Sequence, residues 1–513
     1  MTPLRLFAVL LLPGLAPAAT YTVDTSSDAA LVDCLPAVAG DCSLRGALLR
    51  ANADAVADRI EFALPPGDPG YQAGGGYWRI TVGATALPAI EQPVVIDGYS
   101  QPGAAPNTRT PDQGGLDTVL KIEITPGTAS GNQQNGIEIS LNFPAQAAST
   151  LRGLVISRFA RQIQLAGTAA HAVEGCFLGT DILGSAAATT GSAGRGFGIF
   201  DLGGGPYRIG GTQPAARNLI SGLFGGVVLQ RPSDGLTIQG NLIGTDAGGT
   251  VAIPNTVYAA ISTATSLTNA RIGGDTTAAR NVISGNPLGA IYLGGGNVAY
   301  TGTRIEGNYI GTDAGGTAPL GNGGTAPPQP AIQVFGGGDC GVTIGGDAAD
   351  APNRIAYNAG AGIAVIGCRS VSAAGNRFRA NRGLAIDLAG SGGTLPDGPT
   401  PNDAGDADEG SNRLQNSPRI EQIAYAGGDI VLTYRIDTAA ANAAWPLRID
   451  LARGAGAGVP LDSYGLADAQ TSRTVTFPAS LVQGLPFTLT ATDADGNTSE
   501  LAGDGLFADA FGG

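Results

Sequence analysis

Short runs in which apolar and polar residues alternate recur through the middle of the chain. Gly136-Ile-Glu-Ile, Gly226-Val-Val-Leu and Gly362-Ile-Ala-Val are examples. A period of two predicts short strands with one buried face. Helical periodicity is absent from this region, and no hairpin signature joins the strands. The pattern therefore favours parallel strands stacked coil upon coil in a solenoid.

Longer repeats set the size of the stacked unit. Ile-Gly-Gly begins at Ile209, Ile272 and Ile344, so successive copies lie 63 and 72 positions apart. A unit of this length suggests about three coils of roughly 22 residues. Residues 90–395 would then hold about 13 coils in a rod about 60 Å long. Gly-Thr-Asp recurs with three aspartates that we expect to shape turns, because one active site does not need three copies: Asp181, Asp246 and Asp313.

Asparagine recurs at one position of the repeat. Stacked turns tolerate Asn in the left-handed region, and its side-chain amide can bond to the next coil. We therefore expect a hydrogen-bonded stack of six residues: Asn218, Asn241, Asn281, Asn308, Asn353 and Asn376. Cys176 occupies the same position in an earlier copy and is expected to be a buried, unpaired thiol.

The two ends of a solenoid expose unpaired strand edges that need covering. Near the N-terminus, Ser43 is a candidate helix N-cap. The short amphipathic helix that it would start has an apolar stripe: Leu44, Ala47, Leu48 and Ala51. Beyond a segment rich in Gly, Pro and Asp at 391–418, short alternating strands predict a small antiparallel β-sandwich.

The first residues have the pattern of a secretory signal. Arg5 precedes an apolar core from Leu6 to Leu15, and small residues follow at 16–19. The mature chain is expected to begin near Ala19 or Thr20. Export permits disulfides, and Cys34 with Cys42 is the favoured pair because it would close a small loop rich in turn residues. A further pair one coil apart could form stacked neighbours: Cys340 and Cys368.

Composition narrows the possible chemistry. The chain of 513 residues has a net charge of −14, which removes the electrostatic term on which most nucleic-acid binding depends. Lys121 is the only lysine and His171 the only histidine, so no His-rich zinc site can be built. No long apolar run follows the leader, so the chain is not expected to span a membrane.

Residues 42–52 resemble a known signature. Cys42-Ser-Leu-Arg-Gly-Ala-Leu-Leu-Arg-Ala-Asn52, preceded by Tyr21-Thr-Val-Asp, is similar to the CSLREA motif of secreted bacterial right-handed β-helix repeat proteins, which belong to the pectate-lyase-like superfamily. The chain departs from the motif at Gly46, where the family carries Glu. Segments starting at Asn402 and Thr490 also resemble parts that follow the β-helix in these proteins. The resemblance implies architecture and export, and it carries no single activity.

The expected fold class is thus all-β, a right-handed parallel β-helix with an N-terminal capping helix and a C-terminal β-sandwich. The predicted domains are a signal peptide (1–19), an N-terminal cap region (20–89), the parallel β-helix (90–395), a linker (396–418), an Ig-like β-sandwich (419–505) and a tail (506–513). A sorting signal is one hypothesis for the aromatic tail, and loss of surface display on its truncation would support it.

Closely spaced carboxylates are candidate calcium ligands. Asp403, Asp406 and Asp408 could supply oxygens to a hard cation, although a solvated linker is the favoured interpretation. Asp493-Ala-Asp-Gly-Asn497 with Glu500 mimics part of a calcium loop, and a hairpin turn is the favoured alternative. No other cofactor is expected.

Non-repeated charges in the N-terminal half are candidates for catalysis. Glycosidases need two carboxylates at a fixed separation, and lyases on this fold need a cation and a base. The selected candidates are Glu138, Arg158, Arg161 and Glu174. Further outward-facing or turn positions carry Lys121, Glu123, His171, Arg195 and Asp201; for His171, a turn residue bonded to backbone is the ordinary interpretation.

Two functions remain open. One is an exported, non-catalytic surface or structural protein that contacts polysaccharide, envelope or other cell-surface components. Its stacked sheet would present five polar side chains: Gln164, Gln230, Gln239, Tyr292 and Gln333. The other is a polysaccharide lyase or glycoside hydrolase, by analogy of fold alone. An acidic protein would repel polyuronate unless calcium or a local arginine groove intervened.

Overall fold

A computed structural model describes residues 18–127, 134–144, 147–188, 196–390, 392–393, 396–453, 458–482 and 487–502. Most of the predicted signal peptide, Arg195 and the tail at 506–513 lie outside these ranges. Within them the chain is mainly β-strand, and the strands stack in parallel. Among the described residues, no helix is both long enough and apolar enough to cross a membrane.

The largest sheet has 18 strands, and its pairings are parallel. Its strands are Thr20–Val23, Asp58–Phe62, Val94–Asp97, Asn135–Glu138, Thr150–Arg152, Arg161–Leu165, Ala172–Glu174, Phe197–Asp201, Arg208–Gly210, Gly225–Leu229, Thr237–Gln239, Ile261–Thr263, Arg271–Gly273, Ile291–Leu293, Thr303–Glu306, Ile332–Ile344, Ile363–Ser372 and Ile386–Leu388.

A second sheet has 11 strands and is parallel apart from its first, antiparallel pair. Its strands are Tyr71–Gln72, Tyr77–Val82, Ile122–Pro126, Val155–Ile156, Phe177–Leu178, Leu219–Ile220, Leu242–Ile243, Val282–Ile283, Tyr309–Ile310, Arg354–Ala356 and Arg377–Arg379. A small parallel pair joins Ser233–Asp234 to Leu267–Thr268.

The large sheet consists of two ladders that merge near its C-terminal end. The long strand Ile332–Ile344 pairs with Ile291–Leu293 through its first part and with Thr303–Glu306 through its last part. Together with the second sheet, each coil therefore contributes strands to three ladders. Inward-facing side chains such as Ile209 and Ile243 are fully buried in one continuous core. The chain is thus a parallel β-solenoid.

The coils are longer than the repeat suggests. Ile209 pairs with Ile238, and Ile238 pairs with Ile272, so positions one coil apart are separated by 29 and 34 residues. The 63-residue repeat therefore contains two coils, and the expectation of three was wrong. Nine strands of one ladder, rather than about 13, fall between 90 and 395 among the described residues. The solenoid over this span is about 40 Å long.

The predicted asparagine stack is confirmed. Asn281 donates from its side-chain amide to the side-chain oxygen of Asn308 at 2.9 Å, and Asn308 donates to Asn353 at 3.0 Å. The stack starts where the Cys176 backbone N–H donates to Asn218. A second stack, which the sequence analysis missed, has the same bonding: Asn255, Asn286, Asn322, Asn358 and Asn381.

The Ile-Gly-Gly motif places a glycine against the next coil. Gly273 has φ +80°, and a Cβ on it would lie 2.0 Å from the carbonyl oxygen of Glu306. It would also lie 2.5 Å from Oδ1 of Asn308. The repeated glycine thus makes room for the asparagine stack.

The parallel ladder starts earlier than predicted. Thr20–Val23 pairs with Asp58–Phe62, which pairs with Val94–Asp97, so the cap region at 20–89 supplies the first two strands of the ladder rather than only a cover. The predicted helix forms at Leu44–Ala51, and the Ser43 hydroxyl accepts from the Gly46 N–H at 3.0 Å.

Gly46 has a packing role. A Cβ at this position would lie 1.6 Å from the carbonyl oxygen of Leu31. The backbone of Leu31 occupies the space that any side chain would need. The departure from the CSLREA pattern at this position therefore matches a close backbone approach.

The C-terminal edge of the solenoid is covered by side chains from two later segments. Ser411 accepts from the Gly367 N–H at 3.0 Å, and Asn412 accepts from the Val371 N–H at 3.0 Å. Three residues after the last strand also accept backbone N–H groups of the solenoid: Asn497, Thr498 and Glu500. The segment interpreted as a linker is therefore part of the cap, because the open edge needs partners.

Beyond the solenoid lie two three-stranded antiparallel sheets. One contains Arg419–Ala426, Asp429–Arg435 and Ser472–Pro478; the other contains Val459–Tyr464, Leu447–Arg453 and Phe487–Thr492. Both supply side chains to a single hydrophobic cluster. Arg448 docks this module on the solenoid through an ion pair with Asp347. Single 3-10 turns occur at Gly98–Ser100, Pro111–Gln113, Pro214–Ala216, Thr277–Ala279, Ser411–Leu414, Leu466–Asp468 and Ala479–Leu481.

All five cysteines are placed. Cys34 is bonded to Cys42, and Cys340 is bonded to Cys368, which lies on the adjacent coil. Cys176 is a free, fully buried thiol. Its burial raises its pKa to about 12.

Candidate functional site: an arginine groove

A groove rich in arginine lies on the last strands of the second sheet. Arg354–Ala356 pairs in parallel with Arg377–Arg379, so Arg354 is stacked on Arg377 and Ala356 on Arg379. Successive strands are about 4.8 Å apart, which sets the spacing of the guanidinium stems. We call this surface the arginine groove and define it by five residues: Tyr309, Arg354, Tyr357, Arg377 and Arg379.

In the preceding coils of the solenoid, loops cover the outward face of the same sheet. There Leu219, Leu242 and Val282 are buried in a cluster that includes Ala314 and is flanked by Ala247. Both alanines directly follow a Gly-Thr-Asp motif. Each motif's loop stacks on the next, as in the bond from the Ala314 N–H to the Gly249 carbonyl at 2.8 Å.

The loops are held by their aspartates. Asp246 accepts from the Thr250 N–H at 2.7 Å, and Asp313 accepts from the Thr317 N–H at 2.8 Å. The structural role that the sequence predicts for these aspartates is confirmed. The next copy of the motif, Gly-Asn376-Arg-Phe, has no Gly-Thr-Asp loop. The sheet face therefore opens at the point where the arginines begin.

The aromatic rings order the arginines. The guanidinium carbon of Arg280 lies 4.2 Å from the ring centre of Tyr309, and that of Arg354 lies 5.0 Å from it. Arg354 also donates to the Gly316 carbonyl. Arg379 lies over Tyr357 at 5.8 Å. These cation–π contacts hold the charged groups over the apolar ring faces.

The groove carries positive charge without nearby carboxylates. Several arginines elsewhere on the solenoid are paired with carboxylates, as Arg304 is with Glu306 at 2.8 Å. Within the described ranges, no carboxylate oxygen lies within 4.0 Å of the side-chain nitrogens of Arg354, Arg377 or Arg379. These residues line a cleft of about 160 Å³, and Nε of Arg377 is buried without a hydrogen-bond partner. Such guanidinium groups can bind carboxylates or sulfates in a bidentate manner.

The four predicted catalytic candidates do not form one cluster. Glu138 and Arg161 lie on either side of Gln164, which accepts from Arg161 at 2.7 Å. Asn135 donates to Glu138 at 2.6 Å. Glu174 belongs to the other ladder of the large sheet and pairs with Arg208.

Three of the remaining candidate charges have structural partners, whereas the buried Nε of Arg158 has none among the described residues. Arg158 has φ +69° and follows the second-sheet strand Val155–Ile156. Glu123 accepts from Arg79 at 2.7 Å. Lys121 donates to the Gly76 carbonyl at 2.7 Å, and the buried Asp201 accepts from the Gly203 N–H at 2.8 Å.

His171 is a core residue. It is fully buried, its Nδ1 accepts from the Ser149 N–H at 3.0 Å, and its ring packs against Phe143. Burial lowers the pKa of His171 to about 4. The backbone-bonded interpretation is confirmed.

The polar residues expected to be presented for binding are only partly aligned. Tyr292 pairs with Gln333 in the same ladder that contains Gln164. Gln164 is buried, and Gln239 donates to the Gly273 carbonyl at 2.8 Å. Gln230 is exposed at the end of its strand.

The predicted calcium ligands do lie together. One oxygen from each of Asp403, Asp406 and Asp408 lies within 4.8 Å of the others. Asp406 is buried and accepts from the Asn416 N–H at 2.9 Å and from the Thr438 hydroxyl at 2.8 Å. Burial, with added repulsion from the other two carboxylates, raises the pKa of Asp406 to about 7. This segment is not a solvated linker, because Asp406 and its partners are packed inside it.

The second acidic segment forms a turn. Thr492 and Thr498 are joined by an antiparallel bridge, and Asp493 accepts from the Asn497 N–H at 2.8 Å. This agrees with the hairpin interpretation. Glu500 instead accepts two backbone N–H groups at the solenoid edge, from Leu388 and Thr400.

The arginine groove was missed by the sequence analysis. Its signal was present, since the repeat loses its Gly-Thr-Asp loop after Asn376 while gaining Arg377 and Arg379. No protein-family model, curated protein or solved structure matches the chain.

Proposed function

We propose that this chain is an exported protein that binds an acidic, uronate-bearing glycan in the arginine groove, without cleaving it. The observation that carries the proposal is the stack of Arg354 and Arg377, with Arg379 beside them, on two adjacent strands and without carboxylate partners. An extended ligand laid across the strands would meet one cation after another. Tyr357 lines the same cleft and would offer part of its ring to a sugar, while Tyr309 holds Arg354 in place.

The net charge of −14 does not exclude this ligand. Charges on the rest of the surface are screened beyond about 8 Å at physiological salt, whereas a ligand in the groove contacts the guanidinium groups directly. The acidic exterior would instead restrict binding to this one surface. Arginine suits the task because its planar fork matches a carboxylate.

The proposal extends to architecture and location. The solenoid is a right-handed β-helix of the CSLREA type, and the two antiparallel sheets form an Ig-like β-sandwich packed on its end. The supporting features are the motif at Cys42–Asn52, the leader pattern at 1–19 and the shared hydrophobic cluster of the two sheets. Such a protein is secreted or displayed on the cell surface.

The test is a calorimetric titration of the mature chain with oligogalacturonate and with a neutral galactose oligomer of equal length. We expect binding of the acidic oligomer alone, weakening as salt is raised. The double variant Arg354→Gln with Arg377→Gln should weaken it at least tenfold. The matched control is Arg231→Gln, an exposed arginine outside the groove, which should bind as the unaltered chain does.

Equal binding of the neutral oligomer, or full binding by the double variant, would overturn the proposal. The length distribution of the oligogalacturonate after long incubation separates binding from catalysis. Shortened products would establish the alternative, a polysaccharide lyase or hydrolase of the same fold.

A further inference from the structure

A buried carboxylate faces the first residues of the solenoid. Asp58 begins the second strand of the large sheet and is only 3% exposed. Its Oδ1 accepts from the backbone N–H of Ala19 at 2.7 Å. The Ala19 carbonyl in turn accepts from the Arg59 N–H at 2.9 Å. Both polar backbone groups of Ala19 are therefore fixed against this strand.

Among the residues that the structure describes, no cation forms an ion pair with this carboxylate. Its other oxygen, Oδ2, is buried and has no hydrogen-bond partner among the residues that the structure describes. Two charged groups act on this carboxylate: Arg50 stabilises its ionised form and Asp54 destabilises it. Neither forms an ion pair with it. A buried carboxylate with one neutral donor and no counter-charge is costly. Burial correspondingly raises the pKa of Asp58.

The sequence in front of Ala19 matches a leader cleavage site. If the cut follows Ala18, the last residue before it is Ala18 and the third residue before it is Ala16. Both are small, as leader peptidases require. A cut after Ala19 would place Pro17 three positions before it. Ala18 itself is exposed, whereas Ala19 is already half-buried against the sheet.

We propose that a leader peptidase cuts the exported chain between Ala18 and Ala19, and that the new α-ammonium group forms an ion pair with Asp58. Hydrolysis consumes one water molecule. Ala18 leaves as a carboxylate, and the proton that its new acid group releases is taken up by the amine of Ala19. The cleavage step rests on the proposed export; the ion pair is a property of any chain that begins at Ala19.

The consequence is a direct link between processing and the start of the solenoid. Before the cut, Ala19 offers Asp58 one amide hydrogen and no charge. After the cut, it offers a cation with three hydrogens, which makes the contact charge-assisted. A chain that began at Thr20 would lack this group and would leave Asp58 without its partner.

The chain offers an internal control for the test. Apart from the N-terminus, Lys121 carries the only primary amine, and it lies far along the chain in the second sheet. Acylation by an amine-reactive ester can therefore be followed at two sites by peptide mass spectrometry. In a full-length chain released from a fusion partner so that it starts at Ala19, we expect the α-amine to react at least tenfold more slowly than in Asp58→Asn. Lys121 should react equally in both.

A second variant guards against misfolding of Asp58→Asn. Adding one glycine before Ala19 moves the amine away from the carboxylate, and we expect it to react at least tenfold faster than the amine of Ala19. Equal rates in all three proteins would overturn the ion pair.

The N-terminal peptide of the exported protein should begin with Ala19. Any other start would overturn the proposed cut. A leader that stays attached, with protein retained in the cell, would refute export itself, while the rates on the fusion-released chain would still decide the ion pair.

Discussion

Asn353 donates a hydrogen bond from its side-chain amide to the side-chain oxygen of Asn376 in the next coil, at 3.0 Å. The same amide also donates to the Ile305 carbonyl of the preceding coil. Asn353 thereby ties three coils together in the buried interior. Because every bond in the stack is buried, loss of one member leaves unpaired groups on both sides.

We expect Asn308→Ala to cost about 2–3 kcal/mol of local stability. The substitution removes the acceptor of Asn281 and the donor to the Ile272 carbonyl. Amide hydrogen exchange of the strand Tyr309–Ile310 should accelerate, while exchange near Val94–Asp97 should not. The control is Asn297→Ala, an exposed asparagine; if it accelerated exchange equally, the stack would not be the cause.

Cys176→Asn should be tolerated or stabilising. The thiol lies 3.3 Å from the Glu174 carbonyl and 3.8 Å from the Leu151 carbonyl, positions equivalent to those that the other stacked asparagines donate to. An amide there can extend the stack by one member. Thermal unfolding should show an unchanged or higher midpoint, whereas Cys176→Leu, which cannot bond, should lower it. A lower midpoint for the asparagine variant would contradict this account.

Gly46→Glu should destabilise the N-terminal coil even though Glu favours helix more than Gly does. A side chain here must displace the Leu31 backbone, which would lie 1.6 Å from its Cβ. We expect greater proteolytic cleavage within residues 24–52 of the variant. Leu49→Glu on the exposed face of the same helix is the matched substitution and should resist cleavage as the unaltered chain does. Equal resistance of both variants to cleavage would show that the backbone at Leu31 can move with little loss of stability.

Asp406 makes the capping segment sensitive to pH. Its pKa of about 7 in the folded chain is above the ordinary 3.8, so the folded state keeps a proton that the unfolded state releases. The stabilising contribution is complete below about pH 4 and is lost as pH rises toward 7. The protection factors of residues 403–416, which correct for the intrinsic rise of exchange with pH, should therefore fall over this interval.

Calcium should reverse that loss of protection if the three candidate carboxylates bind it. At pH 7, millimolar calcium should slow exchange in the unaltered chain and have no effect on Asp408→Asn. Asp495→Asn, in the exposed turn, should respond to calcium as the unaltered chain does. No response of the unaltered chain to calcium would remove the metal from consideration.

Features that depend on local chemistry were predictable from the sequence. The asparagine stack, the turn role of Asp246 and the N-cap at Ser43 each follow from local chemistry, and all three are present. Coil length was not predictable, because it depends on which strands pair across loops of unequal length. Ile209 and Ile238 are one coil apart by hydrogen bonding, and Ile238 begins no Ile-Gly-Gly motif but is followed by the different motif at Gly-Asn241.

The candidate site was hidden for a different reason. Arg354 and Arg377 are 23 positions apart and belong to different copies of the repeat. Their meeting depends on the register of the second sheet, and their exposure depends on a loop that is missing. The cap was hidden likewise, since Asn412 and Asn497 reach the same strand from segments 85 positions apart.

The residues that cover the C-terminal edge of the solenoid are synthesised long after the strands that they cover. The amides of Ser370 and Leu388 donate to Asn497 and Glu500, which the ribosome adds more than a hundred residues later. Until then the last coils offer a partly uncovered β-edge to any other nascent chain. A chain that ends prematurely keeps this exposed strand edge permanently. Synthesis of the complete polypeptide is therefore what prevents pairing of the edge with another chain.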